Sequence, residues 1–409
     1  MPSPTRCITT RDVRRFVDEH VFGSTPSEHS VTHGRVGIEL ELVARAHDGA
    51  PLPPLDELAA LVGPSLPSGS RLTFEPGGQL ELSGPTFPGV GPATAAMTDD
   101  VAAARAALAP LGIDLVGIGL DPTGPRPRVL DAARYAAMES YFDTRWPDGR
   151  TMMRHTASVQ VNLDLGPEAL VDARWARAHD VLPVLAATFA NSPFDATGAP
   201  SGWRSTRLAV WNRIDPRRTR WVARTGVSAA TAWNSFALDA PVMLIRTGKG
   251  ECVPCLRPLP FARWIHDGHE LGWPTLDDFA YHLTTLFPPV RPRGWFELRA
   301  VDALPDEWWP VAVAVTTALL DDPEAADAAS RLTPELRNRW GDAARYACAD
   351  PAIGHAAERC FAAALPALAR IGADDHTIAA AETYYERYVA RRRCPADDLH
   401  PDPSRVAVT

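Results

Sequence analysis

The chain predicts an α+β fold in which one antiparallel sheet has a carboxylate-lined face and is backed by helices on its apolar face. Three observations lead there. Four separate segments alternate strictly between apolar and polar residues. Their polar positions hold Glu, Gln, Asn and Arg, where an exposed strand face prefers Thr or Tyr. The last third of the chain is rich in Ala and Leu at helical spacing.

The elements follow in order. In Val36-Gly37-Ile38-Glu39-Leu40-Glu41-Leu42 the apolar residues share one face and both glutamates the other. Pro- and Gly-rich joints at Gly49–Pro54, Gly63–Gly69 and Pro85–Pro92 read as loops. Leu80–Ser83 repeats the alternation with Glu81 on its polar face; Glu75 lies just upstream, across the Gly77-Gly78 turn. Asp99–Pro110 reads as a helix, and Pro167–Asn191 as a long helical pattern interrupted at Pro183. Ser158–Leu165 is a strict period-two strand, with Ser158, Gln160, Asn162 and Asp164 polar. Trp295–Ala300 puts Glu297 and Arg299 on one face. Helices then follow at Asp306–Leu320, Pro334–Ala349, His355–Arg370 and Asp375–Arg393. No internal repeat or composition shift divides the chain. It reads as one unit over residues 1–394, helical from about residue 305, with 395–409 a disordered tail.

The 409 residues carry 41 basic and 50 acidic groups, a net charge of −9 that argues against a nucleic-acid-coating surface. No apolar run reaches membrane-spanning length and the N-terminus lacks a secretory h-region, so a soluble cytoplasmic enzyme is expected. Lysine occurs once, at Lys249, and Gly250 follows it, which excludes a P-loop. Phosphate here must be held by guanidinium groups or metal ions. The six cysteines read as reduced thiols. Cys252-x-x-Cys255 with His266-x-x-His269 could close a zinc site, form a redox pair or stand as an ordinary loop. Gly117-Ile118-Gly119-Leu120-Asp121-Pro122 fails the dinucleotide fingerprint, because proline replaces its third glycine. Arg391-Arg392-Arg393 reads as a cationic helix end rather than a nucleic-acid arm.

Glutamate is a poor strand former, and two on one strand face repel each other. Glu75 and Glu81 deepen that repulsion. Divalent cations would neutralise the cluster, and magnesium is the hard ion that oxygen ligands suit. The sheet face therefore reads as a magnesium site.

Six motifs in this order make the pattern specific: Gly37-Ile38-Glu39-Leu40-Glu41, Glu75-Pro76-Gly77-Gly78-Gln79-Leu80-Glu81-Leu82-Ser83, Ala157–Asp164, Ala190-Asn191-Ser192-Pro193-Phe194, His282–Pro288 and Phe296-Glu297-Leu298-Arg299. Over roughly Gly34 to Leu320 the chain resembles glutamate–cysteine ligases of the plant and bacterial branch, whose fold is related to glutamine synthetase. It is most similar to the bacterial members that serve ergothioneine biosynthesis. The resemblance implies a curved antiparallel sheet carrying two or three magnesium ions, over which ATP and glutamate meet. It implies Glu39, Glu41, Glu75, Glu81 and Glu297 as metal ligands, with Gln160 where some relatives have a histidine ligand. It implies Arg299 as the phosphate-contacting catalytic residue that also binds ATP, and Arg207 and Arg218 in the substrate region. His155 stands where the plant enzymes have arginine. The implied reaction phosphorylates the glutamate γ-carboxylate with ATP and releases γ-glutamylcysteine after attack by the cysteine amine. A glutamate ligase for a different amine and a non-catalytic glutamate- or nucleotide-binding relative are the alternatives.

Overall fold

One long strand, β1 (Arg35–Ala46), organises the sheet, because its alternation gives it an apolar face to bury and a polar face to present. The computed structural model describes residues 7–23, 34–63, 66–223, 225–248 and 250–399. The other strands are β2 (Arg71–Phe74), β3 (Leu80–Ser83), β4 (Phe87–Pro88), β5 (Ile113–Val116), β6 (Ser158–Asp164), β7 (Leu244–Arg246), β8 (Cys252–Pro254), β9 (Val290–Pro292) and β10 (Trp295–Asp302). The main sheet runs β2-β3-β1-β6-β10-β9, with β4 and β5 also paired to β1. Every pairing is antiparallel, and β7 and β8 form a separate hairpin.

Directly opposed residues of antiparallel strands share a face, so the register writes rows of side chains across the sheet. One row is Leu72, Leu82, Leu40, Val159 and Val301, all apolar. The polar rows are Thr73–Glu81–Glu41, Arg71–Ser83–Glu39–Gln160 and Gly37–Asn162–Glu297–Arg291. A register shift between Leu298 and Val301 sets Arg299 in an irregular stretch of β10, between two paired parts of the strand.

The helix Val90–Leu108 packs against β1, Trp309–Asp321 against β6, and Val171–Asp180 and Leu182–Thr188 against β10. Every residue from Trp309 to Leu320 is buried, as expected of a helix that is apolar all round. The antiparallel sheet with helical backing is therefore as expected. The helix expected from Asp99 starts nine residues earlier, at Val90, because a proline such as Pro92 fits the first helical turn, where no intrahelical bond is lost. Part of the expected Pro85–Pro92 loop is thus strand and helix. Pro183 splits the long pattern into two helices and sits in the first turn of the second.

The tail expected to be disordered from residue 395 is folded over its first part. Ala396–Leu399 form a helical turn. Asp397 pairs with Arg204, and Asp398 pairs with Arg387 and Arg393. These acidic residues meet the arginines of the preceding helix end and of a distant loop, which local sequence does not announce. Residues 400–409 lie outside the described residues. Among the described residues no helix is long and apolar enough to cross a membrane.

Candidate active site

The polar face of the sheet floors a cleft of about 700 Å³. Glu41 reaches it from the centre of β1, Glu81 from β3 and Glu75 from the turn after β2. Their carboxylate oxygens lie within 4.8 Å of one another, and among the described residues this is the one group of three or more potential metal-binding side chains so gathered. The Glu-Pro-Gly-Gly-Gln segment is what places Glu75. The Glu75 N–H donates to Gln79 C=O at 2.8 Å and the Gly78 N–H to Glu75 C=O at 2.8 Å. Gly78 adopts φ +86°, and a Cβ on Gly77 would come within 2.1 Å of the Arg154 carbonyl oxygen. Gln79 is buried and donates from Nε2 to Thr156 C=O at 2.9 Å. The two glycines thus serve a tight turn pressed against the helix Asp148–His155.

Electrostatics marks this cluster as incomplete by itself. Burial and then repulsion from Glu81 push the Glu41 carboxyl up to about 7, against the pull of Arg207 and Arg299. Burial, then Glu41 and Glu81, hold Glu75 well above the ordinary carboxylate range. Glu39, on the same face, is raised by burial and by Glu297 and Glu81. Coordination of a cation, or protonation, would relieve all three.

The neighbouring end of the cleft is different. Glu297 is fully buried and accepts from Arg291 Nη2 at 2.8 Å, with Arg293 Nη1 at 3.4 Å and Arg299 Nη1 at 3.3 Å. Burial raises its pKa, but Arg291, Arg299 and Arg293 outweigh that and bring it down to about 2. Gln160 joins the two ends: its Nε2 donates to Glu41 Oε1 at 2.9 Å, and its Oε1 accepts from Arg299. Arg71, Arg134, Tyr135, Arg291 and Arg293 also line the cleft. Sequence reasoning passed over all five. Arg291 and Arg293 sit beside the expected strand, in the Arg-x-Arg run preceding Trp295, and that spacing was the available signal.

The sequence profile of glutamate–cysteine ligase family 2 matches residues 35–401. The chain belongs to glutamate–cysteine ligase family 2. It is 43% identical over 378 residues to glutamate–cysteine ligase EgtA of Mycolicibacterium smegmatis, covering 90% of this chain and 86% of that one. It is 41% identical over 381 residues to EgtA of Mycobacterium tuberculosis, covering 90% and 85%. A chloroplastic glutamate–cysteine ligase B of Oryza sativa shares 30% identity over 275 residues, 65% of this chain and 55% of the relative. The crystal structure of a glutamate–cysteine ligase from Francisella tularensis in complex with AMP aligns at a TM-score of 0.50 with 10% identity, covering 90% of this chain and 84% of that one. That last likeness speaks to the fold, and the expected enzyme class stands on the family match.

Arg207 and Arg218, which the resemblance puts in the substrate region, are not among the residues that line this cleft. Arg207 is buried beneath it, near Asp302 at 3.5 Å, and donates from Nη2 to the Arg299 carbonyl at 2.9 Å. Arg218 is wholly buried; it donates to Thr285 C=O at 3.0 Å and to the Pro241 carbonyl, and it faces the Tyr141 ring at 4.8 Å. Each arginine is held by a buried aspartate as well as by carbonyls, Arg207 by Asp302 at 3.5 Å and Arg218 by Asp215 at 3.3 Å. His155 is buried behind the Glu75 turn, its Nδ1 3.2 Å from Asp121 C=O. The Asn191-Ser192 motif secures Asp302, through Asn191 N–H at 2.8 Å and Ser192 Oγ at 2.7 Å. Cys252 and Cys255 sit at the β7–β8 hairpin, where burial pushes the Cys255 thiol up to about 11, while exposed His266 pairs with Asp267. Among the described residues Cys252, Cys255, His266 and His269 do not gather as metal ligands.

Proposed function

We propose that this family member joins the γ-carboxylate of glutamate to the amine of cysteine at the expense of ATP, through a γ-glutamyl phosphate. The observation that carries the reading is the meeting, in one cleft, of three mutually repelling carboxylates with an arginine cluster, on a chain of this family. A carboxylate does not acylate an amine at neutral pH, so one of its oxygens must become a leaving group. The γ-carboxylate oxygen attacks the γ-phosphorus of ATP, the bond to the bridging oxygen breaks, and ADP leaves. The amine nitrogen then attacks the acyl carbon; the C–O bond breaks and phosphate departs with the carboxylate's oxygen. Such phosphoryl transfer asks for positioning and charge stabilisation rather than a protein nucleophile.

Glu41, Glu75 and Glu81 fit a hard divalent ion: three oxygen donors converge, and burial and repulsion leave Glu41 and Glu75 in want of a positive charge. Glu39, Gln160 and Glu297 complete the proposed ligand surface, with Glu297 held by arginines in the present arrangement. Magnesium, in the two or three ions that the sequence resemblance implies, would supply neutralisation of the phosphate charge. Arg299 is the proposed catalytic and ATP-binding residue: Gln160, Glu297 and the Trp211 ring at 5.8 Å fix its guanidinium beside the carboxylates. Arg207 supports it from below. Cytoplasmic supply of γ-glutamylcysteine to ergothioneine assembly completes the proposal.

The test uses glutamate labelled with heavy oxygen in its side-chain carboxylate, incubated with ATP, magnesium and cysteine. One label in inorganic phosphate and a product of γ-glutamylcysteine mass are expected. Label in AMP would contradict the acyl phosphate, and product only with another amine would redirect the acceptor.

A further inference from the structure

One wall of the cleft precedes the family match, which begins at residue 35. It is the segment made of the helix Thr10–Phe16 and the single π turn Val17–Val21 that follows. Phe16, His20 and Val21 from this segment line the cleft. The segment is firmly seated. A capping box between Thr9 and Asp12 starts it, and Val13 and Val17 are fully buried. The Phe16 ring meets Phe279 edge-on at 5.7 Å, and the Gly294 N–H donates to Val21 C=O at 2.8 Å. That last bond ties the π turn to the β9–β10 hairpin, which carries Arg291, Arg293 and Trp295. π turns are rare and recur where a side chain must be aimed at a functional site. Here the turn presents His20, exposed and 4.7 Å from the Phe16 ring, to the cleft.

This end of the cleft therefore combines flat rings (Phe16, His20, Trp295) with guanidinium groups, Arg293 lying 5.2 Å from the Trp295 ring. The carboxylate triad lies further along β1, past the Glu297 and Glu39 rows. Glutamate and cysteine have no flat part to lay on a ring. Of the three proposed substrates, the nucleotide alone pairs a planar base with a polyanion. Aromatic rings hold bases by stacking, and arginines hold phosphates by charge and paired donors.

We propose that Thr10–Val21 forms the base-binding wall of the nucleotide site, with His20 as a base-contacting residue that stacks against the purine of ATP. The inference rests on the ATP-dependent reading above. It orients the nucleotide, with its base toward the π turn and its phosphates running over Arg293 and Arg291 toward Arg299 and the carboxylates.

The test is calorimetric binding of ADP with magnesium to the full-length protein and to His20→Ala, joined to steady-state kinetics on both. His20 is exposed, so its loss leaves the core untouched; Phe16→Leu, which keeps an apolar contact to Phe279, serves as a second variant. His20→Ala should bind ADP roughly fivefold or more weakly and raise the apparent KM for ATP in parallel, with the glutamate and cysteine constants within about twofold of native. Unchanged ADP affinity in both variants, or a rise confined to glutamate or cysteine, would overturn the assignment. An active native enzyme with unaffected variants removes this inference alone. An ADP site weakened by His20→Ala in a protein that makes no peptide product removes the proposed reaction and leaves the wall standing.

Discussion

Two carboxylate sites share the cleft floor and are built in opposite ways. At one, Glu297 arrives with its counter-charge supplied: Arg291, Arg293 and Arg299 surround it, and its pKa falls to about 2. At the other, Glu41, Glu75 and Glu81 face one another with no arginine ion pair among the described residues, and Glu41 rises to about 7. Both face the same cleft; Glu297 and Glu41 are buried, and Glu75 and Glu81 are half-buried. The difference lies in where the neutralising charge comes from. A site neutralised by its own chain holds its geometry at all times. A site left unneutralised on the chain is built for a cation that arrives from solution, and Gln160, bonded to Glu41 and Arg299, couples the two.

The sharpest way to break this comparison is to remove one charge from each side. Glu41→Gln should cut turnover by at least about a hundredfold, since loss of a direct ligand exceeds the usual cost of losing an outer partner. In metal-free solution at pH 8 the same variant should melt above the native protein, because it removes a buried repulsion. Glu297→Gln should also abolish turnover, yet melt below the native protein, because it strips three guanidiniums of their anion. Parallel shifts in the two melting temperatures would erase the distinction.

Next in size is Arg299→Lys. The charge stays but the planar fork is lost, so contact with Gln160 and Glu297 together fails, and the maximal rate should fall roughly tenfold or more. The apparent ATP constant should change less than the rate. Unchanged kinetics would remove Arg299 from the site.

The pH dependence of the two sites should run in opposite senses. The Glu41 pKa is raised on folding, so between the ordinary carboxylate value and about 7 the folded metal-free chain holds more protons than the unfolded one. Its stability should fall as pH rises through that window, and magnesium should flatten the fall. The Glu297 pKa is depressed to about 2, so its stabilisation is present above the ordinary value and is lost as pH drops below it. Melting curves from pH 3 to 8 with and without magnesium read both. The smallest expected effect is at Cys252→Ser and Cys255→Ser, which should leave turnover within about twofold, because neither thiol reaches the cleft and burial keeps Cys255 protonated.

What the sequence made legible follows from the range of the interactions. Strand alternation is local, so the faces of Glu39, Glu41, Glu81, Gln160, Glu297 and Arg299 could be read directly, and the register then aligned all of them but Arg299, which falls in the bulge. The places of Arg207 and Arg218 could not be read, because a burial such as that of Arg218 depends on carbonyls of Thr285 and Pro241 far along the chain. The docked turn at Ala396–Leu399 escaped for the same reason, its acids finding Arg204 across the fold. Gly117 and Gly119 keep close quarters with Leu304 and Asp302, a packing role that spacing by itself does not reveal.

The most direct measurement of the central claim is manganese binding to the nucleotide-free protein, titrated at pH 7.5 by the loss of the free-ion electron spin resonance signal. Native protein, Glu41→Gln and Glu297→Gln are compared at equal concentration. Expected are binding by the native chain, an affinity at least about tenfold lower in Glu41→Gln, and a smaller loss in Glu297→Gln, whose native carboxylate is already met by arginine. Superimposable titrations of native protein and Glu41→Gln, or a greater loss in Glu297→Gln, would contradict it.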